Sequence, residues 1–113
     1  MAGKVTTEQK LKYQEESRRL KESITDKTKK IKSYQEQAKG NERFANYFYI
    51  AAANEYLNIV NDFINLNSLS MSLLKSKNES FLNDARKNYF NALIELEKVF
   101  GTIIDMELTE NLP

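Results

Sequence analysis

Glu55 and Asp62 stand seven residues apart, and Glu95 and Glu97 two apart, in a chain that has no histidine and no cysteine. Paired carboxylates remain possible, as in glycosidases, where one serves as acid and the other as base or nucleophile. The commonest alternatives are absent. There is no imidazole base, no thiolate nucleophile and none of the usual zinc ligand sets. A helical di-iron site needs Glu-x-x-His pairs that cannot be written here. The three glycines, at 3, 40 and 101, are isolated, so no phosphate-cradling loop exists. Glu55 and Asp62 fall on a polar helical strip without a cleft, and Glu95 and Glu97 flank an apolar face. All four are expected to be solvated surface acids, and the chain is expected to be non-enzymatic, with no cofactor or metal.

Binding chemistry is better supplied. Arg18, Arg19, Lys21, Lys27, Lys29, Lys30 and Lys32 form a basic stretch that could contact the phosphates of a nucleic acid. Residues 1–43 hold 12 Lys/Arg against 7 Asp/Glu, and residues 44–113 hold 5 against 9. Yet the basic residues spread around their helix, acids interleave with them, and the pI of about 7.8 is no basic footprint. The charge asymmetry is better explained by two halves that pack against each other. Lys27 is expected to snorkel from the helix seam and help fix register.

The stretch RFANYFYIAAANEYL offers Phe44, Tyr47, Phe48, Tyr49 and Tyr56. Such rings can stack bases or anchor a partner. At helical spacing, beside Ala51 to Ala53, they are expected to be core.

Three helices must position these groups. Thr6 and Gln9 fit a capping box that opens helix 1, which runs from about 6 to 39 and stops at Gly40 as a left-handed C-terminal residue. Its seam is Lys10, Tyr13, Ser17, Leu20, Ile24, Lys27, Ile31, Tyr34 and Ala38, in alternating steps of three and four. Outside the seam, Glu8 to Lys12, Glu15 to Arg19 and Asp26 to Lys30 are acid-before-base pairs at i, i+4. Asn41 is expected to cap helix 2, about 41–74. Apolar residues cover well over half of that helix and leave one polar strip, Asn54, Asn58, Asn61, Asn65, Ser68 and Ser72; Asn67 lies off it. Ser76 and Glu79 suggest a second capping box, opening helix 3 over about 78–101 or on to 108. Leu82, Tyr89, Leu96 and Ile103 recur every seven residues there, with Ala85, Ala92, Val99 and Met106 between them, and Phe81, Leu93 and Phe100 widen the face.

The fold expected is all-α: a single domain forming an antiparallel, up-down-up three-helix bundle with coiled-coil-like seams. One monomer leaves apolar surface unsatisfied on helix 2, so a homodimer through helix 1 or helix 2 is favoured. The functional expectation is a helical protein–protein interaction module, an oligomerising adaptor, small chaperone or inhibitor. Its interface would be drawn from Tyr13, Leu20, Ile24, Ile31, Tyr34, Tyr49, Ala53, Leu57, Val60 and Ile64. The partner is itself or another protein, with nucleic acid as the alternative; no membrane and no small-molecule substrate are expected. Residues 1–12 lack the apolar core of a signal peptide, and the longest charge-free run, Phe63 to Leu74, is too short to cross a bilayer. A cytoplasmic location is expected.

Overall fold

A computed structural model describes the backbone of residues 4–111 and the side chains of residues 4–101. Three long helices, α1 (Thr7–Gly40), α2 (Ala45–Leu73) and α3 (Glu79–Asn111), run antiparallel in chain order, with a single 3-10 turn, Glu42–Phe44, between the first two. The fold is all-α, a three-helix bundle. Its helices form a shallow layer, measuring 68 × 29 × 13 Å along its principal axes. The central α2 packs against both neighbours, and among the described residues no Cα of α1 lies within 8 Å of one of α3.

The start of α1 follows from local chemistry. Gln9 N–H donates to Thr6 Oγ1 at 3.1 Å, and Thr6 N–H donates to Gln9 Oε1 at 2.9 Å. Two otherwise orphaned donors are satisfied reciprocally. At the other end Gly40 remains helical and is not left-handed. The chain tightens instead into the 3-10 turn, in which Phe44 N–H donates to Asn41 C=O at 3.2 Å. Asn41 therefore gives its backbone, and no side-chain cap, to the next helix.

The α2–α3 turn also departs from expectation. Ser76 and Glu79 form no capping box: Ser76 Oγ donates to Lys77 C=O at 3.4 Å, and Asn78 caps α3, its Oδ1 accepting from Phe81 N–H at 3.0 Å. The off-strip Asn67 explains why Asn78 is held there. Its buried Oδ1 accepts from Asn78 N–H at 2.7 Å, while Ser70 Oγ donates to Ser76 C=O at 2.6 Å. The last turn of α2 thus clamps the loop, and Lys75 between them takes the left-handed conformation at φ 56°. Gly101 lies inside α3, which continues through it to Asn111. Ile103 and Met106 of the proposed heptad lie outside the described side chains.

Large side chains close the α1–α2 seam. Ile31, Ala52 and Ile59 are buried together, with Ile24, Tyr34, Tyr56 and Phe63 packed around them. The α2–α3 seam is built from smaller ones: Ala85, Ala92 and Val99 are the buried apolar residues of α3 among those described, and Ala53 is buried on α2. Small residues let the two helix backbones approach closely.

Candidate interaction surface

The carboxylates come first, because two of them are not where a surface acid would be. Asp62 is only 7 % exposed. Its Oδ2 accepts from Lys27 Nζ at 2.6 Å and from Ser23 Oγ at 3.0 Å, tying α1 to α2. Lys27 does not snorkel to water; it closes a largely buried ion pair across the seam. Glu95 is 3 % exposed. Gln35 Nε2 of α1 donates to it at 2.9 Å and also approaches the Tyr56 hydroxyl of α2 at 3.4 Å, while Lys98 Nζ stands 3.3 Å from both of its oxygens. This cluster bridges the outer helices over α2. Burying a carboxylate costs several kcal/mol unless it is paired and hydrogen-bonded, and both of these are. Glu55 is half-buried and Glu97 is exposed. Asp62 and Glu95 are thus occupied in holding helices together, which corrects their assignment as solvated acids.

The basic stretch is likewise largely engaged within the chain. Arg18 pairs with Glu22 at 2.8 Å and Arg19 with Glu15 at 3.3 Å, Lys21 Nζ sits 5.9 Å from the centre of the Phe81 ring, and Lys27 holds Asp62. Lys29, Lys30 and Lys32 are exposed. Lys29 and Lys32, three residues apart, are neighbours on one side of α1, whereas Lys30 points to another, because residues one or two apart on a helix do not share a face.

Among the expected interface residues, the α1 set is turned inward onto α2. Ile31 is buried, Ile24 and Tyr34 pack on the same cluster, and Tyr34 stacks on Phe48 with ring centres 6.4 Å apart. Tyr13 and Leu20 are half-buried. The thin seam of α1 is therefore satisfied by its own chain. On α2, Ala53 is buried and Tyr49 lies beneath Lys98 Nζ, 5.0 Å from its ring centre. Leu57 and Val60 are half-buried, and Ile64 is exposed. Val60 and Ile64 line a groove of about 460 Å³ with Leu82, Ala85, Arg86, Tyr89 and Phe90 of α3.

That groove leads to what the sequence expectation missed. Tyr89, Phe90, Leu93, Ile94 and Phe100 of α3 are exposed, Phe90 by 63 %. The heptad spacing predicts Tyr89 in the seam and Leu93 and Phe100 on its widened face, yet the seam that meets α2 is the row of smaller residues. The signal was present in the residue sizes: Ala85, Ala92 and Val99 fit a close neighbour, while the adjacent row is large. The polar strip of α2 behaves as expected, with Asn54, Asn58, Asn61, Asn65, Ser68 and Ser72 all exposed. Of the five aromatics expected to be core, Phe48, Tyr49 and Tyr56 of α2 are partly buried, whereas Tyr47 of α2 and Phe44 of the 3-10 turn are exposed, which corrects the expectation for those two.

Among the described residues no helix is long and apolar enough to cross a membrane, and no group of three or more carboxylates converges on a metal-sized site. No curated protein and no solved structure matches the chain. One family model does match, over residues 9–112, and so takes in all three helices with the exposed row of α3: the chain belongs to the TP0443 family.

Proposed function

We propose that this protein is a non-enzymatic helix-docking module, an adaptor, small chaperone or inhibitor that binds protein through the outer face of α3 and the adjoining flank of α2. The observation that carries this is the exposed row Tyr89, Phe90, Leu93 and Phe100 beside Ile64. Folding alone gives no reason to place large aromatic and aliphatic side chains together in water, and a contiguous patch of this kind marks an interaction site more often than chance exposure does. Aromatic anchors at the centre of such a patch also supply most of the binding energy in protein interfaces.

The test is an affinity capture from native lysate with the wild type and Leu93→Glu, each with and without nuclease. The proposal expects a protein partner that survives nuclease and is lost with the variant, while the helical circular-dichroism signal stays unchanged. Capture that does not depend on the α3 face overturns it. Loss on nuclease treatment, together with retention on heparin that falls steeply with salt, would favour phosphate binding through Lys29, Lys30 and Lys32 instead.

A further inference from the structure

Along the exposed side of α3, Leu82, Arg86, Tyr89, Leu93, Leu96 and Phe100 follow one another in steps of four, three, four, three and four. This is the spacing of a coiled-coil seam, and it lies beside the row that α2 covers. Leu82 and Leu96 are half-buried and the other four are exposed. A helix seam of this kind calls for another helix.

The order of residues within the seam selects which helix. Arg86 stands toward its N-terminal end, and exposed Glu97 borders its C-terminal end. In the antiparallel register that sets Leu93 against the partner's Tyr89, Phe100 meets the partner's Leu82 and Leu96 meets the partner's Arg86. Arg86 then lies beside the partner's Glu97, and the two-fold axis repeats each contact. Every layer pairs a larger residue with a smaller one, and both charged residues find the opposite sign. Phe90 falls next to the axis, facing its own copy. A parallel pairing would instead oppose Arg86 to Arg86 and Glu97 to Glu97, which complementarity disfavours. We infer that the outer seam of α3 binds a second copy of this chain in antiparallel fashion, with Arg86 and Glu97 setting the register.

The area agrees with this occupant. Aromatic side chains carry roughly 200 Å² each, and about half of that stands clear of the monomer here, so the seam and Ile64 present on the order of 600 Å² per protomer. Standard interfaces bury about 800 Å² per partner, and an isologous contact uses the same patch twice. The second copy's α3 also covers the groove lined by Val60 and Ile64.

The inference rests on the helix-docking function proposed above, and sedimentation equilibrium of the full-length chain tests it separately. The wild type is expected to be a dimer at ~10 μM, and each single reversal, Arg86→Glu or Glu97→Arg, to weaken association by about tenfold or more at low salt. The double variant Arg86→Glu/Glu97→Arg is expected to restore it. All three must keep the wild-type melting profile of the monomer, which both exposed positions permit. A wild type that is monomeric at ~100 μM overturns the self-pairing, as does a dimer indifferent to the single reversals or a double variant that fails to recover. A monomer that still captures another protein through Leu93 leaves the broader function standing. A monomer whose α3 face captures nothing removes both.

Discussion

α1 and α3 are nearly equal in length, 34 and 33 residues, and flank the same central helix, yet they distribute their apolar side chains in opposite ways. α1 turns Ile24, Ile31 and Tyr34 onto α2 and covers its outer surface with charge, including the Arg18–Glu22 and Arg19–Glu15 pairs. α3 meets α2 through Ala85, Ala92 and Val99 and exposes Tyr89, Phe90, Leu93 and Phe100. The first arrangement is what folding requires of a surface helix. The second leaves large apolar area that folding does not use. The α1 side therefore hides most of the apolar surface it carries, and the exposed α3 row is what the proposed binding function rests on.

The contrast breaks first at its core. Ile59→Ala, at a position 2 % exposed, should cost about 2–5 kcal/mol in a chemical-denaturation experiment, since it empties the α1–α2 cluster. An unchanged midpoint would mean that the cluster does not carry the fold. Asp62→Ala should cost about 2–3 kcal/mol by leaving the Lys27 ammonium without its partner, somewhat below the full penalty for a broken buried pair because Lys27 keeps some access to water. Lys27→Met/Asp62→Leu should recover most of that loss. If the double variant is as unstable as the single, the pair is more than a register device.

Neighbouring positions on α3 sharpen the comparison. Ala92→Leu should destabilise by about 1–3 kcal/mol, because a fully buried small residue at a close helix contact has no room for more. Leu93→Ala, one residue on, should change monomer stability by less than about 0.5 kcal/mol. Equal effects at 92 and 93 would dissolve the distinction between the two rows. Further along, Gly101→Ala should stabilise by about 1 kcal/mol, since among the described residues a methyl group there meets nothing within 4 Å beyond its own stretch of helix, and the helix runs through the position. A loss would instead point to a role for the glycine in the seam beyond Phe100.

The smallest effect concerns the α3 N-terminus. The hydrogen bond from Lys77, and then its charge, hold the Glu79 carboxyl below its ordinary value despite a small opposing desolvation. A depressed folded-state pKa stabilises above the unfolded value, and that contribution is lost as pH falls through the folded one. Acid titration of the melting temperature should therefore fall slightly less steeply below the usual carboxylate range in Glu79→Gln than in the wild type. Parallel curves would remove Glu79 from the account.

Much of the fold was legible before any coordinates. The Thr6–Gln9 box is four residues long and carries both of its own hydrogen bonds, so tertiary structure has little to add to it. The seam of α1 and the exposed strip Asn54 to Ser72 follow from periodicity, because a helix that buries one side must present the other. Helix ends were less secure. Gly40 and Gly101 both stay helical, since glycine permits a left-handed stop without imposing one. Asn67 lies off the polar strip because its partner, Asn78, stands eleven residues on, beyond the turn.

The candidate surface was legible only in part. Periodicity places Val60 and Ile64 on the α2 flank, but it puts the α3 row in one heptad face without saying which part of that face α2 covers. Amino-acid type and spacing determined which residues are apolar and which share a stripe, since both depend on rotation of 3.6 residues per turn and on local hydrogen bonds. Only the tertiary structure decided which stripe meets a neighbour. Among the described residues α3 has close backbone contact with α2 alone, so one of its two rows is left over. The same arrangement turned Asp62 and Glu95 from surface acids into ties between helices, because their partners Lys27 and Gln35 lie 35 and 60 residues away, where no local pattern reaches.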